Sequence, residues 1–77
     1  MNKQGTNNIN QQIATTIRVE RFRRGYSQEF MALRLNISQN AYSRIERGLT
    51  RLDIERLNAI AALLGVTIEF LLKDGEN

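Results

Sequence analysis

What most constrains this chain is an alternation of residues that start helices with residues that stop them, laid over apolar spacings of three and four. Ser27, Ser38, Asp53 and Thr67 can each accept hydrogen bonds from the free N–H groups at a helix start. Gly25, Asn36, Gly48 and Gly65 can each take the left-handed backbone that ends one. Between these marks the apolar residues fall at helical intervals. Ile9, Ile13 and Ile17 recur every four residues, and Arg21 continues their stripe with Phe22 beside it, which predicts a first helix ending near Gly25. Ser27 opens a helix over 28–35 with Met31, Ala32 and Leu35 inward, and Ser38 opens another over 39–47. Asp53 caps a fourth helix whose stripe is Ile54, Leu57, Ile60, Ala61 and Leu64, and Thr67 caps a last one over 68–72. There is no Pro and no convincing period-two segment, so the fold class is all-α, a compact five-helix bundle. Two of its helices, joined by a three-residue turn anchored on Ile37, form a helix-turn-helix unit.

The segment Ser38–Gly48 carries the chemistry. At about 100° per residue, Ala41, Tyr42 and Ile45 share one side and Gln39, Asn40, Ser43, Arg44 and Arg47 the other. The outward side therefore holds two amides, a hydroxyl and two guanidiniums, and no carboxylate. Amides and Arg make paired hydrogen bonds to adenine and guanine edges in the major groove. Arg21, on an apolar stripe, either snorkels to solvent or, if buried, needs a carboxylate, for which Glu46 is the candidate. Arg23 and Arg24 suit the negative end of the first helix and could equally reach a phosphate.

Seventy-seven residues make one small domain, in which helical packing or dimerisation must supplement a small core. The organisation expected is a flexible polar tail over 1–8, a helix-turn-helix domain over 9–72 and a frayed tail over 73–77. With no Cys and no His, disulfides, the usual zinc sites and His-based catalysis are excluded. No nucleophile–base pair or Gly-rich phosphate loop suggests an enzyme, and no cofactor or metal is expected. No apolar run approaches the roughly 20 residues of a membrane span, and the first eight residues lack the core of a secretory signal, so a cytoplasmic protein is expected. The net charge of +3 is uneven: residues 1–48 hold eight basic and three acidic side chains, residues 49–77 three and five. Seven of the eight basic residues in the first half are Arg, which grips phosphates and bases with a planar fork. One face is thus suited to a polyanion.

The run Gly25-Tyr-Ser-Gln-Glu, then Ala32, Leu35 and Ile37-Ser-Gln-Asn-Ala-Tyr-Ser-Arg-Ile-Glu-Arg-Gly48, then Ile60-Ala-Ala-Leu-Leu-Gly-Val66, resembles the phage-repressor/Cro-like helix-turn-helix family, also called XRE-type. The match spans about residues 13–72. It implies a lambda-repressor-like domain whose third helix lies in the major groove, with Gln39, Asn40, Ser43 and Arg44 facing base edges and Gln28 on a phosphate. It also implies a dimer on a near-palindromic operator, and an Arg21–Glu46 ion pair in agreement with the stripe. Further phosphate contacts are expected from Arg23 or Arg24, Arg47, Thr50 and Arg51. Asn36 replaces the usual turn Gly, Leu52 a frequent Pro, and Tyr42 an aliphatic residue, so its hydroxyl needs a partner. Phe30, Leu33 and Phe70 stand where such proteins are usually polar. Phe70, with Ile68 and Leu71 beside it, is the expected homodimer contact; Phe30 and Leu33 are expected to pack under the segment around Ile9. The function expected is a sequence-specific transcriptional regulator with double-stranded DNA as partner, a repressor by promoter occupancy, with activation equally compatible with the chain. The alternatives are an antitoxin-type module that neutralises a toxin and the controller protein of a restriction–modification system.

Overall fold

Four of the five helices begin at a side chain that accepts from the N–H three residues on. Ser27 accepts from Phe30 (2.9 Å), Ser38 from Ala41 (3.0 Å), Asp53 from Arg56 (2.8 Å) and Thr67 from Phe70 (3.0 Å). Such a cap contributes about 1 kcal/mol and sets where each helix starts. The computed structural model describes the backbone of residues 5–73 and the side chains of 9–73. It comprises α1 (Gly5–Arg23), α2 (Gln28–Leu35), α3 (Gln39–Glu46), α4 (Ile54–Leu64) and α5 (Ile68–Leu72). No strand occurs among the described residues. The first helix starts at Gly5, ahead of its apolar stripe, so residues 5–8 of the expected tail are helical backbone. Residues 1–4 and 74–77, the rest of the expected tails, lie outside the described residues.

The stops are as local as the starts. Gly25, Asn36, Gly48 and Gly65 all have positive φ, and Asn36 is the one such residue that is not glycine. At each, the next N–H reaches back five residues to a helix carbonyl: Tyr26 to Arg21 (3.2 Å), and Ile37 to Ala32, Leu49 to Arg44 and Val66 to Ala61 (3.0 Å each). In three of these turns the apolar anchor is followed at once by the cap of the next helix: Gly25-Tyr26-Ser27, Asn36-Ile37-Ser38 and Gly65-Val66-Thr67. After Gly48-Leu49 the chain instead spends residues 50–52 before Asp53.

All five helices contribute to the core, with Ile17, Met31, Tyr42, Ile60, Leu64 and Leu71 fully buried. Packing revises three expectations. Leu71 is the residue that α5 turns inward, so it is a core residue and is not available to a dimer partner. Ile54, expected on the buried stripe of α4, is exposed because, as the first residue of that helix, it lies beyond the edge of the core. Phe30 and Leu33 do not pack under the Ile9 segment, because α1 packs on α3, α4 and α5 and not on α2. Phe30 instead stacks on Tyr26, ring centroids 4.6 Å apart, while Leu33 stands 77% exposed and Ile9 is also exposed.

Candidate nucleic-acid interface

α3 divides as its sequence requires. Tyr42, Ile45 and Glu46 face inward; Gln39, Asn40 and Arg44 are exposed, and Ser43 is half-buried between them. Arg47, expected inside the helix, is its C-cap, and its side chain is exposed. The ion pairs among the described residues are Arg21–Glu46, Arg23–Glu20 and Arg24–Glu20. Arg44, Arg47 and Arg51 thus carry no ion-pair partner there. Arg44 shares an open cleft with Thr50 and Arg51, lined also by Ile37, Ala41 and Leu52 and, from the start of α4, by Asp53, Glu55 and Arg56. Of the residues expected to touch DNA, Arg44, Thr50 and Arg51 are therefore brought onto one surface.

Behind the exposed face α3 is held by its one buried acid. Glu46 accepts from Arg21 Nε (2.6 Å) and Nη2 (3.0 Å), from the Tyr42 hydroxyl (2.5 Å) and from Gln28 Nε2 (3.1 Å). Arg21 Nη1 also donates to the Tyr26 carbonyl at 2.9 Å, which ties the α1–α2 turn to the same centre. Burial by itself would push the Glu46 carboxyl up, but the hydrogen bonds from Arg21, Tyr42 and Gln28, with the charge of Arg21, outweigh it and hold the carboxyl below its ordinary value. The bond to Glu46 raises the Arg21 guanidinium against the opposing effect of burial. Burial, then the bond to Glu46 and its charge, push the Tyr42 hydroxyl up. The hydroxyl that replaces an aliphatic group thus finds a carboxylate rather than water.

The remaining phosphate candidates fare differently. Gln28 gives one amide hydrogen to Glu46, which leaves its second for another acceptor at the start of α2. Arg24 is tied back by Nη1 to Glu20, at 2.7 Å to the carboxylate and 3.1 Å to the carbonyl. Arg23 reaches Glu20 only at 3.8 Å and is largely exposed. Four residues at or beside this surface escape sequence reasoning. Glu20 had a detectable signal, the (i, i+4) spacing to Arg24. Arg56 caps the Leu35 carbonyl (3.3 Å), Arg18 the Glu46 carbonyl (2.9 Å) and Gln11 the Arg47 carbonyl (3.2 Å). A backbone acceptor leaves no mark on sequence, so these three had none.

Known proteins bear on the family and the fold. The family model described as Helix-turn-helix matches residues 17–71. The SPbeta prophage-derived uncharacterized HTH-type transcriptional regulator YonR of Bacillus subtilis is 40% identical over 50 residues, 65% of this chain and 46% of the relative. The chain therefore spans about half the length of that protein. Among solved structures, the hypothetical transcription factor NHTF from Neisseria matches with a TM-score of 0.82 over 99% of this chain and 88% of its own, at 23% identity, a likeness of fold. With its two capped helices, its left-handed Asn36 turn and a family match over most of its length, the chain belongs to the XRE-type helix-turn-helix family.

Proposed function

We propose that this chain is a sequence-specific DNA-binding transcriptional regulator that places α3 in the major groove. The observation that carries the reading is the exposed, carboxylate-free face of Gln39, Asn40 and Arg44 beside a loop with an unpaired Arg51. Arg44 bidentate to a guanine would supply about 1–3 kcal/mol of discrimination, and Gln39 or Asn40 would read adenine similarly. Ser43, half-buried beside them, would offer its hydroxyl to a neighbouring base edge. Arg47, Thr50, Arg51, Arg23 and the second amide hydrogen of Gln28 would set the register on phosphates. The relative from Bacillus subtilis, named a transcriptional regulator, supports the same reading.

The working form in this proposal is a homodimer, with two copies of α3 about 34 Å apart on half-sites of a near-palindromic operator, repressing by occupying a promoter. Phe70 and Leu72, exposed on α5, and the half-buried Ile68 supply the contact. Phe70→Glu is expected to give a folded monomer with much weaker operator binding; a dimer persisting on sizing puts the interface elsewhere. A protein-interaction module of the antitoxin or controller kind is the second reading, favoured by the groove of Phe30, Leu33 and Ile37 beside α3. Selection from a random duplex pool at about 50 and about 200 mM salt separates the two. An enriched palindrome whose affinity falls steeply with salt supports the dimeric regulator. No enrichment, or binding indifferent to salt, removes it in favour of the interaction module.

A further inference from the structure

The last four carbonyls of a helix have no partner within it. At the end of α3 two are met by the turn: Leu49 N–H donates to the Arg44 carbonyl and Gly48 N–H to that of Ile45, each at 3.0 Å. The other two are met from α1, the Glu46 carbonyl by Arg18 Nη1 (2.9 Å) and the Arg47 carbonyl by Gln11 Nε2 (3.2 Å). The two donors lie about two turns apart on α1, so that helix runs beside the end of α3 as a splint.

Gly48 shows how closely the same amide lies against this turn. A Cβ placed there would run into the Gln11 side-chain amide, whereas at Gly25 and Gly65, with almost the same φ, nothing lies within 4 Å. The amide of Gln11 thus occupies the space a side chain would need. The contact falls where α3 passes into the segment bearing Arg47, Thr50 and Arg51.

We propose that Gln11 and Arg18 are positioning residues for DNA recognition. By holding the last carbonyl of α3 and that of its C-cap they fix the angle between the base-reading face and the Thr50–Arg51 loop, so that base and phosphate contacts are made together. This rests on the DNA-binding reading above. Non-specific binding depends on charge and barely on that angle, whereas discrimination needs contacts in register.

The test compares affinity for the duplex that the wild-type chain selects with affinity for a scrambled duplex of equal length, each corrected for active fraction by stoichiometric titration. Gln11→Ala, uncharged and favourable to helix, is expected to lower the selected-to-scrambled ratio roughly three- to tenfold with the scrambled affinity unchanged. Arg18→Met should lower the ratio similarly, and Arg18→Lys, which restores a donor, should recover most of it. A wild-type chain without preference removes the DNA reading and this proposal with it. A wild-type preference that Gln11→Ala and Arg18→Met leave intact, or a parallel loss on both duplexes, overturns the positioning role alone.

Discussion

α2–α3 and α4–α5 share one connecting device, which the α1–α2 turn also uses. Each pair joins two helices through a left-handed residue, an apolar anchor and a hydroxyl cap, Asn36-Ile37-Ser38 in one and Gly65-Val66-Thr67 in the other. The anchor N–H bonds match at 3.0 Å in both. What differs is the helix that follows. α3 has eight residues, exposes amides and Arg, and buries a carboxylate with four donors on it. α5 has five residues, exposes Phe70 and Leu72, and fixes itself with one buried leucine. The turn, then, settles geometry and not purpose. A helix that must present polar groups outward has little apolar surface to hold it, and α3 is held instead by Glu46 behind and α1 at its end.

That contrast can be broken most forcefully at its acids. Glu46→Ala strands the buried Arg21 and is expected to cost about 3–5 kcal/mol, most of the stability of so small a domain. Glu69→Ala, on the exposed side of α5, is expected to stay within about 0.5 kcal/mol. Chemical denaturation of both variants measures the gap, and equal losses would show the Glu46 network to be decorative. The same acid sets a pH dependence. Because the folded protein holds the Glu46 carboxyl below its ordinary value, its contribution is present above about pH 4.3, the unfolded value, and is lost as pH falls through the folded one. The raised Tyr42 hydroxyl works in the opposite sense, its contribution being lost as pH rises beyond about 10.

A smaller effect is expected from Arg44→Ala, which should relax base preference at one position per half-site by about 1–3 kcal/mol and leave the melting temperature unchanged. A uniform loss over all sequences would demote Arg44 to a phosphate contact. The turns separate next. Gly65→Ala and Gly48→Ala both force a side chain into left-handed backbone, at about 1–2 kcal/mol. Gly48→Ala must also displace Gln11, so it should be the more destabilising of the two. Smallest of all, Asn36→Gly should change stability by less than about 0.5 kcal/mol, since Asn already tolerates the conformation that glycine permits. A clear gain there would mean that Asn36 is strained.

Most of the frame was legible without coordinates because its signals are local. A cap speaks to the N–H three residues on, and a left-handed residue to the carbonyl three back while the N–H after it reaches five back, so Ser27, Asn36, Ser38, Asp53, Gly65 and Thr67 could be read one at a time. Arg21 and Glu46 were legible for another reason: a cation on an apolar stripe calls for a carboxylate, and the inward edge of the 39–47 helix offered one. Tertiary structure decided the rest. Five residues are too short a stretch for periodicity to say that α5 turns Leu71 in and Phe70 out, and the first residue of α4 lies outside the core that its stripe points to. How the helices lie against one another put Gln28 on the carboxylate that Tyr42 reaches within α3, and brought Gln11 and Arg18 to the end of α3. A backbone carbonyl is the same at every position, so only the packing of the helices could choose which ones α1 would hold.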